Sequence, residues 1–154
     1  MYTLTTTLEL PIAHRLETAF SGLCVGNVGI DKKPTEGNPI VHGHNYFLTF
    51  EISSNSLNSD DMVVDFKKIK EILHNEFDKY DHSLILKHTD PMIEYYKDNS
   101  DNSRLFIWVH NPTAEYMAYK WYHDLLPTLK DLIPDVKLRI SVEETSHNKI
   151  TYEE

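Results

Sequence analysis

Apolar and polar residues alternate through "MYTLTTTLELPIAHRL" at the start of the chain. A period of two puts alternate side chains on one face, so the pattern predicts a first strand over 2–13, with His14 near its end. From 17 to 41 the glycines and prolines (Gly22, Gly26, Gly29, Pro34, Gly37, Pro39) break any period, which reads as a long loop. Loops of this length in compact domains are often functional. Alternation resumes in "HGHNYFLTFEI", predicting a second strand over 41–53, and the polar "SSNSLNSDD" after it reads as a turn with helix-capping residues.

The period then changes. Val64, Phe66, Ile69, Ile72, Leu73 and Phe77 recur mostly at three- and four-residue spacing, with Asp65, Lys67, Lys68, Lys70 and Glu71 outward, the signature of an amphipathic helix ending near "DKYDH". A solvated loop over 97–103 and a short apolar run, "RLFIWV", lead to "NPTAEYMAYKWYHDLL". That segment predicts a second helix, capped by Thr113, with Glu115 in its first turn and its end near 126. "VKLRISVEET" and "KITYE" alternate as two antiparallel strands about a turn at 146–148. The order strand, strand, helix, helix, strand, strand predicts an α+β fold, a four-stranded antiparallel sheet with two helices on one face. Its open edges favour oligomerisation.

The chain has 154 residues, the size of one domain, taken as 1–154. Lys and Arg total 15 against 24 Asp and Glu, a net charge of −9 that argues against broad binding to nucleic acid or an anionic membrane and favours a small ligand or protein partner. The lone Cys24 cannot form an internal disulfide, the N-terminus lacks secretory-signal features, and no apolar run reaches membrane-span length. The expectation is a soluble, cytoplasmic protein.

Candidate chemistry centres on histidine. His42 and His44 lie two apart on a strand and share a face, and antiparallel pairing brings His14 beside them. Three neutral imidazoles plus an open position would make a catalytic zinc site, whereas a single histidine is more often a surface or satisfied core residue. Asp81 beside His82 reads either as a proton-transfer unit or as helix-end capping with His82 meeting the helix dipole. Glu143 and Glu144 should face opposite sides of a strand; an inward one suits a planar, guanidine-like edge through paired hydrogen bonds, and the alternative is two exposed acids.

In their order and spacing, "AHRL", "HGHNY", "MVVDFKKIK", "YDHSLIL", "NPTAEYMA" and "VEET" resemble the 6-pyruvoyltetrahydropterin synthase family, which includes the 6-carboxytetrahydropterin synthases, over almost the whole chain. The resemblance implies a tunnelling fold whose subunits join into a barrel, commonly a hexamer of two trimers, with a pterin-like substrate between subunits. It implies zinc on His14, His42 and His44, a proton-transfer pair in Asp81 and His82, and a pterin anchor in Glu144. Glu115, and with it Thr113, would line the pterin pocket. The family's usual catalytic cysteine, separated from the histidine pair by five intervening residues, is here Glu36, while Cys24 lies far upstream and reads as an ordinary loop thiol.

An unperturbed Cys titrates near ~8.5 and Glu near ~4.3, so the exchange changes the base. A subgroup with glutamate at this position cleaves the side chain of 7,8-dihydroneopterin triphosphate to 6-hydroxymethyl-7,8-dihydropterin, a folate precursor. The resemblance therefore implies that activity for this chain. Alternatives are 6-pyruvoyltetrahydropterin synthesis by triphosphate elimination, 6-carboxytetrahydropterin synthesis, and a non-catalytic zinc- or pterin-binding protein.

Overall fold

The computed structural model describes residues 1–16, 41–99 and 102–154. Among them a curled sheet of six strands carries three α-helices. In chain order the elements are β1 (Tyr2–His14), β2 (His42–Ser54), α1 (Phe66–Phe77), β3 (Ser83–Lys87), α2 (Met92–Asn99), β4 (Leu105–Trp108), α3 (Ala114–Leu132), β5 (Lys137–Thr145) and β6 (Asn148–Glu153), ordered β4-β3-β1-β2-β5-β6 across the sheet. Short 3₁₀ turns follow α1 and precede β4.

The two long strands set the frame. β1 and β2 pair antiparallel without a break from Tyr2↔Ser54 to His14↔His42, so every even-numbered residue of one faces the same side as its even-numbered partner. That side is the core: Leu4, Leu10 and Ile12 from β1, Tyr46, Leu48, Phe50 and Ile52 from β2, and Leu138, Ile140 and Val142 from β5. The helices close over it. α1 contributes Ile69, Leu73 and Phe77, and α3 contributes Met117, Ala118, Trp121, Tyr122, Leu125 and Leu129. Phe77 joins the layers, its ring 5.3 Å from both Phe50 and Trp121.

The expected four-stranded antiparallel sheet is thus corrected to a mixed one. β3 pairs parallel with the end of β1 through Ile12↔Ser83 to His14↔Ile85, and β4 pairs parallel with β3. "SLILK" and "LFIW" are short, nearly continuous apolar runs, a pattern that periodicity cannot separate from other buried segments. α2 was also not foreseen and occupies part of the expected 97–103 loop. Its start is held by Asp90, which accepts from the Met92 N–H at 2.9 Å. α3 runs to Leu132, past the expected end near 126, with Pro127 inside it. An interior proline costs roughly 3 kcal/mol in a helix. Burial of Leu125, Leu129 and, just beyond, Ile133 offsets that cost. No described helix is long and apolar enough to cross a membrane.

Candidate metal centre and adjoining cavity

The alternation that builds the core also builds the site. Continued to the end of β1 and the start of β2, the core-facing positions become His14, His42 and His44, and each ring offers a nitrogen within 4.8 Å of the others. The Nε2 atoms of His14 and His42 are 3.1 Å apart. Two donors on one zinc, with bonds of about 2.0–2.1 Å at a tetrahedral angle, lie about 3.3 Å apart, so the spacing suits a shared cation.

The electronic state suits it as well. His14 is buried, and its Nδ1–H donates to the Pro112 carbonyl at 2.7 Å, which leaves the Nε2 lone pair facing His42 and His44. Burial, against the smaller raising effect of the Pro112 carbonyl, pulls the His14 pKa from 6.5 to about 4. The ring is therefore neutral at ordinary pH. His44 is lowered too, chiefly by burial, and its Nε2 is buried without a hydrogen-bond partner. Convergent lone pairs and an orphaned buried nitrogen fit a bound cation.

Glu144 closes one side. It follows Val142 on the core face of β5, where the ladder to β6 is interrupted between Glu143 and Thr145. Its Oε1 accepts from the Tyr46 hydroxyl at 3.1 Å and lies 3.6 Å from His44 Nε2 and 3.7 Å from His14 Nε2. Glu144 also lines a cavity of about 430 Å³ with Leu16, Thr113, Glu115, His147 and Ile150. Thr113 caps α3 there, its Oγ1 accepting from the Tyr116 N–H at 3.3 Å.

Asp81 and His82 are paired with each other, His82 Nδ1 lying 2.8 Å from Asp81 Oδ2. Asp81 is also the C-terminal cap of the preceding 3₁₀ turn, its backbone N–H closing onto the Asp78 carbonyl, so its capping position and its pairing with His82 coexist. His82 has φ 54°, a left-handed conformation that is uncommon for a residue with a side chain, and its N–H is tied to the Pro11 carbonyl at 2.8 Å. The imidazole is left exposed beside a second cleft, of about 330 Å³, that His44, Gly43 and Asn45 also line. Glu36 and Cys24 lie outside the described residues.

Two participants escaped the reading of the sequence. Tyr46 continues the even-numbered face of His42 and His44, so alternation alone could have found it. The Pro112 carbonyl carried no local signal, because its role exists only once α3 has docked.

Fold and site together define an α+β protein in which three imidazoles converge beside an acid-lined cavity at the end of a curled sheet. The family model described as 6-pyruvoyl tetrahydropterin synthase matches residues 3–154, and the chain belongs to that family. It is 33% identical over 129 residues to a 6-carboxy-5,6,7,8-tetrahydropterin synthase of Aquifex aeolicus, covering 80% of each chain. A 6-pyruvoyl tetrahydropterin synthase structure from Plasmodium falciparum superposes with TM-score 0.65 at 16% identity, over 99% of this chain and 98% of that one. One from Plasmodium vivax, described as a catalytic-residue mutant with glutamate replaced by alanine, superposes with TM-score 0.63 at 19% identity, over 100% and 99%. These structural likenesses show the fold.

Proposed function

We propose that the chain is a zinc-dependent lyase that cleaves the side chain of 7,8-dihydroneopterin triphosphate to 6-hydroxymethyl-7,8-dihydropterin. The observation that carries the reading is Glu144, whose one carboxylate borders both the three-histidine centre and the cavity. A flat, donor-rich ring held there would direct its side chain toward the imidazoles, and such positioning makes the reaction effectively unimolecular. Thr113 and Glu115 complete the ring's surroundings.

His14, His42 and His44 hold the metal, which when bound supplies Lewis acidity toward the side-chain hydroxyls. Glu36 takes the proton of the second side-chain carbon's hydroxyl as the bond between the first and second side-chain carbons breaks. The second carbon leaves as an aldehyde carrying the triphosphate, the electron pair passes through the first carbon into the ring imine, and a proton returned to the first carbon completes the hydroxymethyl product. His82, oriented by Asp81, is the complementary acid. The Plasmodium vivax protein, in which a glutamate is described as the catalytic residue, supports glutamate chemistry in this fold.

The domain is taken as 1–154, and a homo-oligomer, a hexamer by family resemblance, would cover the edges that β4 and β6 leave open. A second reading, 6-carboxytetrahydropterin synthesis, is favoured by the name of the Aquifex aeolicus relative. Incubation of the zinc-loaded protein with 7,8-dihydroneopterin triphosphate and mass analysis of the products separates the readings. The hydroxymethyl pterin is expected. A dominant carboxy or pyruvoyl pterin overturns the cleavage, and an untouched substrate favours a pterin- or zinc-binding protein without turnover.

A further inference from the structure

The position of Glu144 is unusual for a residue whose only task is to hold a ring in the cavity. Its Oε1 lies 3.7 Å from His14 Nε2 and 3.6 Å from His44 Nε2. His14 Nε2 presents a lone pair, because Nδ1 carries the proton given to Pro112, and His44 Nε2 has no hydrogen-bond partner. A carboxylate against a nitrogen lone pair, such as that of His14 Nε2, is repelled unless a cation lies between them. A nitrogen and an oxygen donor on one zinc, with bonds of about 2.0–2.2 Å, lie about 3.3–3.5 Å apart, within a few tenths of an ångström of both distances.

The carboxylate is held in that place. Tyr46, fully buried, donates its hydroxyl to Oε1 at 3.1 Å from the same sheet face that carries His42 and His44. The interrupted ladder beyond Glu143 leaves this end of β5 fewer backbone restraints. The rest of the carboxylate borders the cavity shared with Thr113 and Glu115.

We propose that Glu144 is a displaceable fourth donor to the His14, His42 and His44 centre, docked by Tyr46 while the cavity is empty and drawn off when a ligand fills it. The inference rests on the reading above and adds a gate to it. A ring with several N–H donors on one edge replaces the Tyr46 hydrogen bond and takes the carboxylate, which opens a coordination position as the ligand's hydroxylated arm arrives. A molecule with only the ring or only the arm satisfies half of this exchange, so the gate selects for a heterocycle that carries a polyhydroxylated side chain. Tyr46 is here a positioning residue.

Cobalt(II), which takes zinc's place and absorbs visibly, tests the exchange. Glu144→Gln is expected to bind cobalt about 10–100-fold more weakly than the unaltered protein in chelator competition, with a changed visible band. Tyr46→Phe, which loses only a hydroxyl, should weaken binding several-fold in the same direction. Neopterin should shift the band of the unaltered protein, while 6-methylpterin, which lacks the arm, should shift it differently. Urea unfolding of each variant controls for folding, and Glu144→Asp, which shortens the side chain, serves if Glu144→Gln does not fold. Unchanged cobalt affinity and band in the folded Glu144 variant overturn the donor role. Neopterin binding without any change in the band overturns the exchange and leaves the pterin reading intact. Absence of neopterin binding overturns both the reading and the gate, and the cobalt affinities still decide the donor role.

Discussion

His14 and Pro112 meet across 98 positions of sequence, the imidazole Nδ1 donating to the buried carbonyl at 2.7 Å. The contact ties the end of β1 to the segment that enters α3, and it selects the His14 tautomer whose free nitrogen faces His42 and His44. Metal affinity and the docking of α3 are therefore coupled through one hydrogen bond.

Replacing His42 by alanine leaves two imidazoles and is expected to reduce bound zinc to trace levels with the fold retained, since His42 is only half-buried. Metal analysis after dialysis, with far-ultraviolet circular dichroism as the fold control, measures it.

The metal-free protein should lose stability as pH falls. The folded His14 pKa, about 4, lies below the ordinary 6.5, so between these values the unfolded chain takes up a proton that the folded one refuses. The His14 contribution is fully present above about 6.5 and is withdrawn progressively toward about 4, and His44 acts in the same direction. Urea midpoints of the apo-protein across this range should fall with pH, and a His14→Gln variant should show a flatter profile.

Arg15 and Asp90 form a buried ion pair that fastens the residue after His14 to the cap of α2. Removing one partner of such a pair strands the other charge, at a cost of about 3–5 kcal/mol. Asp90→Ala is expected to lose stability on that order in urea unfolding and to weaken zinc binding, because the end of β1 loosens. Asp90→Asn, which can still cap α2, should lose less.

Glu36→Gln keeps the size of the side chain and removes its charge. On the proposed mechanism it should abolish turnover and leave zinc content unchanged. His82→Gln should lower turnover by about 10²–10⁴-fold, the usual range for a general acid or base, with metal affinity unaltered. Steady-state rates and metal analysis on the same preparations check both, and unchanged turnover removes the altered residue from the mechanism.

Much of the site could be read from the chain, for a local reason. A strand's period of two assigns faces without knowledge of the fold, so the common face of His42 and His44 followed from their spacing, and antiparallel pairing with β1 brought in His14. The same rule allowed one of Glu143 and Glu144 to face inward, and it is Glu144 that reaches the imidazoles. Repeated three- and four-residue spacing likewise announced α1, and the capping Thr113 with Glu115 behind it announced most of α3.

What only the tertiary structure decided depends on contacts between distant segments. β3 and β4 are too short to show a period, and they became strands because parallel pairing, of β3 with β1 and of β4 with β3, satisfies backbone groups. α3 passes Pro127 because buried leucines on both sides of it outweigh a local penalty. The His14 tautomer and the docking of Glu144 against Tyr46 each join residues 98 apart, and no local pattern encodes a hydrogen bond whose partners meet only when α3 and β5 have closed on the sheet.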